Sequence, residues 1–183
     1  MSDPPDLCRG GRDLPASVAL LDGGAVTLRR VTDADRAAIT AMAHGLTERE
    51  RYLRFFTAHP QHIDRWVTTL LQTAADRFTL AAFDGDTLLG VANYVESARP
   101  GHAEVAIVVA HGHHHRGIGT VLLDALGHIA RANGQRFFVA DILAENHEMQ
   151  TVLSDSSWPC RRHLDGAVVS VEVDLRSGGS DAR

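Results

Sequence analysis

His111–Thr120 reads HGHHHRGIGT and joins an apolar strand-like run, Ala103–Ala110, to an amphipathic run, Gly117–Asn133. Gly117, Gly119 and the basic side chain of Arg116 at that junction suggest a phosphate cradle. A chain that turns from a strand into a helix points its first amide N–H groups outward, and glycine lets a phosphate approach them without a Cβ in the way. The expected ligand is an anion at a helix N-terminus.

Downstream of the turn, Ile118, Val121, Leu122, Ala125, Leu126 and Ile129 mark one helical face that stops at Asn133-Gly134. Phe137–Leu143 is then apolar enough to be a central strand. Strand, helix and strand imply one parallel crossover. Upstream, Phe78–Phe83 and Thr87–Tyr94 flank the hairpin signal Asp84-Gly85-Asp86, and with Ala103–Ala110 they make an antiparallel meander.

Toward the N-terminus, Val18–Leu21 and Val26–Val31 flank Asp22-Gly23-Gly24, a second hairpin signal. Thr32 with Asp35 and Thr47 with Glu50 are capping signatures that each start a helix, and Ile63, Trp66, Val67, Leu70 and Leu71 mark a third. Asn146–Leu153 is a short helix, and Arg161–Leu164 with Ala167–Leu175 forms a terminal hairpin around Asp165-Gly166. The fold class is therefore mixed α/β (α+β): a mostly antiparallel central sheet flanked by helices, with one parallel β-α-β crossover. Residues 18–176 are expected to form one domain, with a flexible lead-in at 1–17 and a disordered tail at 177–183.

Composition narrows the function. A 183-residue chain with 44% hydrophobic and 22% charged residues has room for a real core. Its formal net charge of -5 argues against nucleic acid as the main partner, since duplex binding leans on clustered cationic side chains. Cys8 and Cys160 form no Cys-x-x-Cys pair, so neither a disulfide framework nor a zinc site is suggested. With no signal-peptide core and no membrane-length apolar run, the expected location is the cytoplasm.

The loop lacks the Lys-Ser or Lys-Thr of a Walker A motif, and a dinucleotide fingerprint would need glycine at Leu122. What remains is a pyrophosphate held on backbone amides. His114-His115-Arg116-Gly117-Ile118-Gly119 resembles the Gln/Arg-x-x-Gly-x-Gly/Ala signature of the GNAT superfamily of acetyl-CoA-dependent N-acetyltransferases, with His114 at the first position. Further echoes are VTLRRVTDAD at the first strand and helix, ERYLRFF in Glu50–Phe56, AEVAIVV in Ala103–Val109 and AENHEM in Ala144–Met149. Together they are similar to bacterial GNAT domains that acetylate protein lysines.

The resemblance implies acetyl-CoA as cosubstrate and no metal. The backbone of Ile107, Val108 and Val109 would lie along the pantetheine arm, and the loop around His114 with amides of His115, Arg116, Gly117, Ile118, Gly119 and Thr120 would bind the pyrophosphate. Asn146 would contact the thiol-end arm. The family's usual glycine-aromatic falls at Ser157-Trp158, and the position where many relatives carry a tyrosine acid falls at Leu153, with Ser154 a weak substitute. The general acid is left unassigned.

Acetyl transfer needs a neutral amine, and a lysine with a pKa of about 10.4 is mostly protonated near neutral pH. A base is required, and Glu104 is the candidate: a lone carboxylate in an apolar strand beside the residues expected to hold the thioester, where desolvation would raise its pKa. An N–H near Val109 would stabilise the carbonyl oxygen as it gains charge. The plainer alternative for Glu104 is a solvent-facing strand residue. Glu96 and His102 are nearby substitutes, most simply read as solvated.

His111, His113, His114 and His115 invite a zinc reading, but neighbours on one turn rarely converge on one ion, so a polar loop that modifies anion binding is preferred. Tyr52, Phe55 and Phe56 read as core; Arg51 and Arg54 read as solvated, the alternative being an acidic-substrate patch. The expected partner is an amine acceptor, favoured by resemblance to be a protein lysine, and the chain is expected to be a monomer or homodimer. A small-molecule amine acetyltransferase and an inactive acyl-CoA sensor are the rival readings.

Overall fold

A computed structural model describes residues 14–55 and 62–177. Phe56 and most of the expected lead-in and tail lie outside the described residues. One eight-stranded sheet runs through the molecule in the order β1-β2-β3-β4-β5-β6-β8-β7. Its strands are β1 (Ala16–Ala19), β2 (Ala25–Arg30), β3 (Arg77–Asp84), β4 (Thr87–Glu96), β5 (His102–Val109), β6 (Phe137–Leu143), β7 (Cys160–Asp165) and β8 (Val168–Asp174). Every pairing is antiparallel except β5 with β6. β1 starts at Ala16, two residues before the expected boundary, because Ala16 is buried and pairs with Leu28.

The helices are α1 (Arg36–Gly45), α2 (Glu48–Phe55), α3 (Ile63–Leu71), α4 (Ile118–Ala132) and α5 (His147–Asp155). Thr32 and Asp35 form the expected capping box, opening a 3-10 turn that leads into α1. Asp35 also receives both arms of the Arg29 guanidinium at 2.7 and 2.9 Å, so one carboxylate ties the helix start to β2. Those bonds hold its carboxyl below the usual range against the opposing effect of burial.

Two cores form, one on each face of the sheet. On one face α4 buries Leu122, Leu126 and Ile129 against Leu80, Tyr94, Val105 and Phe138. On the other, α1 and α3 bury Ile39, Met42, Val67 and Leu70 against Ala81, Phe83, Val91 and Val108. Among the described residues that second core includes Val108 of β5 and no side chain of β6, β7 or β8.

Candidate active site

β5 and β6 pair only through His102–Phe137, Ala103–Phe138 and Glu104–Val139. Beyond Glu104 the two strands part. Ala110 N–H donates to Leu89 O at 2.8 Å and Ser97 N–H donates to His102 O at 2.9 Å, so even-numbered residues of β5 turn their polar backbone groups toward β4. The odd-numbered residues, Val105, Ile107 and Val109, therefore turn theirs toward the gap. An extended amide-bearing chain can pair with that edge as an added strand. Val108 directs its own backbone to β4 and faces the cleft only with its side chain.

The gap opens into a cleft of about 850 Å³ bordered by β5, β6, α2, α5 and β7. At its phosphate end the loop places three residues in the left-handed region: Gly112 at φ 83°, His115 at 62° and Gly117 at 85°. Gly117 caps α4, whose first helical bond there is Val121 N–H to Gly117 O, leaving the amides of Ile118, Gly119 and Thr120 pointing out of the helix. A Cβ on Gly119 would lie 2.7 Å from Val152 Cγ2, so this glycine is what lets α5 close on α4. The cradle suits a pyrophosphate.

The loop side chains are tied down. Arg116 Nε donates to Asp22 Oδ2 at 2.5 Å, which directs its charge to the β1–β2 turn. His114 lies between two carboxylates, with Nε2 2.8 Å from Glu50 Oε1 and Nδ1 3.1 Å from Glu148 Oε2, and so clamps α2 to α5 beside the cradle. His111 Nδ1 reaches the same Glu50 oxygen at 3.0 Å, and His113 faces Arg116. Among the described residues no group of three His, Cys, Asp or Glu is arranged to hold a metal ion. The expected bare polar loop is instead a set of interhelical ties, formed across 61 and 64 residues of sequence and invisible to local reading.

Burial pushes the Glu50 carboxyl up, but the Thr47 N–H, His111, the Thr47 hydroxyl and His114 outweigh it and hold the group down to about 2. A carboxyl depressed in the folded state stabilises above its ordinary pKa of 4.5, and that contribution is lost as pH falls toward about 2. Glu50→Gln is therefore expected to cost about 1 kcal/mol near neutral pH, with the gap to the parent closing on acidification. Thermal melts at about pH 7 and about pH 2.5 check this; a gap of the same size at both would contradict it.

Glu104 borders the cleft and is exposed, so the desolvation expected of an apolar strand is absent in the free protein. Its register explains why. Glu104 pairs with Val139, Val139 with Glu172 and Glu172 with Arg161, and paired residues share a face. Asp141, Ser170 and His163 form the next row of that face, with the Ser170 hydroxyl donating to Asp141 at 2.7 Å. These residues build an open polar floor beside the gap. Sequence reading missed the floor, although Asp141, Ser170 and Glu172 interrupt otherwise apolar strands.

The other expectations sort by position. Asn146 borders the cleft and caps α5, its Oδ1 accepting from Met149 N–H at 3.0 Å, which leaves its Nδ2 for a ligand. Leu153 is buried in the α4 core, and the Ser154 hydroxyl donates to Gln150 O while accepting from Arg162. Of the two alternatives to Glu104, Glu96 is exposed, as read, and accepts from Gln135 at 2.6 Å, whereas His102 is buried rather than solvated, stacked on Phe137 at 4.7 Å. Neither borders the cleft. Arg51 donates to Leu46 O at 2.6 Å, and Arg54, expected to be solvated, has its Nε shielded from water.

The single parallel pair parts beyond Glu104, and the loop after β5 leads to a helix whose first amides are free to hold an anion. An acetyltransferase (GNAT) domain family model matches residues 25–156, and the chain belongs to the GNAT acetyltransferase family. It is similar to the GNAT domain of S. lividans PAT, with 27% identity and a TM-score of 0.79 over 94% of this chain and 99% of that one. A cAMP-binding acyltransferase from Mycobacterium smegmatis shares the fold at 24% identity and a TM-score of 0.60, over 92% of this chain and 50% of that one. So does an N-acetyltransferase from Thermoplasma acidophilum in complex with coenzyme A, at 17% identity and a TM-score of 0.63, over 81% of this chain and 98% of that one.

Proposed function

We propose that this protein transfers an acetyl group from acetyl-CoA directly to the side-chain amine of a protein lysine, in the cytoplasm. The observation that carries the acceptor class is the polar floor: Glu104, Asp141, Arg161, His163 and Ser170 are all exposed beside the gap. An amine on a protein surface can be laid across such a floor, whereas small ligands are usually enclosed over most of their surface.

Acetyl-CoA supplies the activated thioester: the amine nitrogen forms the new C–N bond, the C–S bond breaks, and the sulfur leaves as a thiolate that takes a proton. This chain's residues hold and orient the reactants. The N–H and C=O groups of Ile107 and Val109 pair with the pantetheine amides, Val109 N–H also being the donor nearest the end of the open edge. Amides of His115 to Thr120 take the pyrophosphate, and Asn146 Nδ2 takes the arm. Glu104 accepts the proton the ammonium must lose, directly or through a water, once the acceptor has covered the floor and excluded bulk solvent. No side chain is assigned as general acid.

Thiol release from acetyl-CoA, measured with lysine-containing protein or peptide acceptors against free polyamines and amino acids, tests the acceptor. Higher kcat/KM for the peptide lysines is expected; turnover confined to small amines would transfer the reading to a small-molecule acetyltransferase. The 18 Lys and Arg residues of this chain are all arginine, so any acetyl-lysine detected belongs to the acceptor.

A further inference from the structure

Arg54 lies in the last turn of α2 and borders the cleft together with Glu50 and Leu53, one helical turn and one residue behind it. Residues at this spacing share a helix face, so the face that clamps His114 also presents Arg54. Its guanidinium carbon lies 5.0 Å from the centre of the Phe55 ring and 5.7 Å from that of Trp66, two rings set nearly edge to face. Among the described residues its buried Nε has no hydrogen-bond partner, and the Trp66 indole Nε1 is a second buried donor with none.

Buried donors without acceptors are rare in native proteins and ask for an explanation. A guanidinium remains cationic at any ordinary pH, even with burial pushing this one down to about 10. Among the described residues none of the five cleft carboxylates pairs with it, and Glu104, the fifth, stands on β5 with no ion pair to Arg54. Glu50 is held by Thr47, His111 and His114, Glu148 by His114, and Asp141 by Ser170. Glu172 faces Arg99 and His102, and among the described residues no ion pair is formed with Arg54.

We propose that Arg54 is the receptor for a carboxylate carried by the amine acceptor, so that the protein selects lysines flanked by glutamate or aspartate. The aromatic pair Phe55 and Trp66 holds the planar fork for two parallel N–H donations, the geometry in which arginine binds carboxylates most strongly. Arg54 sits on the side of the sheet packed by α1 and α3, the same side as Glu104 and the floor, which is where an acceptor approaches. The cradle amides that suit phosphate lie in the loop before α4 and in its first turn. The proposal rests on the amine-acetyltransferase reading and adds the chemistry of the acceptor.

The test is binding of matched peptides to the protein saturated with coenzyme A, followed by fluorescence anisotropy. The peptides carry one lysine and differ only by glutamate or glutamine beside it. A second pair, 4-aminobutyrate and its amide used as competitors, separates a free small carboxylate from a peptide one. The acidic member of either pair is expected to bind about tenfold tighter. Arg54→Gln should bring that ratio to about one with coenzyme A affinity unchanged, and Arg54→Lys, which keeps charge without the fork, should retain part of it. Equal affinity within both pairs, or a preference that survives Arg54→Gln, would overturn the proposal. Because the readout is binding, an absence of turnover would count against the proposed reaction and leave this ratio readable.

Discussion

Replacing Glu104 with Gln is expected to lower turnover by about 10²- to 10⁴-fold while leaving acetyl-CoA affinity unchanged, the range that a positioned base contributes. The change keeps size and hydrogen-bonding capacity and removes only the ability to take a proton. Glu104 sits at the last rung where β5 and β6 are still paired, and from there the strands diverge around the cleft. Its backbone is part of the sheet, so the carboxylate is placed by a rigid element rather than by a loop. The Ile107 and Val109 backbone groups and the loop amides are untouched by the substitution, which is why binding should survive. Steady-state kinetics at saturating acetyl-CoA with a binding titration checks both halves, and unchanged turnover would remove Glu104 from the mechanism.

Trp158→Ala should have the largest effect on stability, about 3–5 kcal/mol, because a buried tryptophan is replaced by a cavity. Trp158 is 2% exposed. A Cβ on Gly127 would meet its indole at 2.5 Å, so the ring lies flush on the α4 backbone. Arg131 covers the ring at 5.5 Å, and His128 packs at 4.8 Å. Asp124 holds the preceding residue, accepting from Ser157 N–H at 2.9 Å and from its hydroxyl at 3.0 Å. At roughly 2–4 °C per kcal/mol for a chain of this size, the melting temperature should fall by about 10 °C. Trp158 does not border the cleft, so acetyl-CoA should still bind well below that temperature. A shift of less than about 2 °C would contradict this account of how Trp158 packs.

Local chemistry made most of the fold legible. Thr32–Asp35 and Thr47–Glu50 mark real helix starts because a capping box is satisfied within four residues, and Asp84-Gly85-Asp86 marks a real hairpin because glycine supplies its φ of 55°. The parallel crossover follows from strand, turn and helix in sequence. The candidate site was legible only where one segment builds it, as in the loop His111–Thr120 and the strand end Ile107–Val109. What sequence could not supply is the partner of each charged side chain. Glu50 reads as a cap and is also the anchor for two histidines more than 60 residues away. Arg54 reads as solvated because helix spacing alone does not reveal the aromatic bed beneath it or the missing counter-ion. The floor needs the β5-β6-β8-β7 register, which joins Glu104 to Glu172 and Arg161 across four strands.

The central claim is that the parted strands and the amide cradle serve acyl transfer to an amine. The direct measurement is thiol release and acetyl-amine formation from acetyl-CoA with a lysine peptide, run beside acetyl-CoA binding on the same preparation. The account predicts one thiol released per acetyl-lysine formed, with release dependent on the amine and on Glu104. Acetyl-CoA bound normally with no thiol released in the presence of any amine would contradict it and leave a binding module.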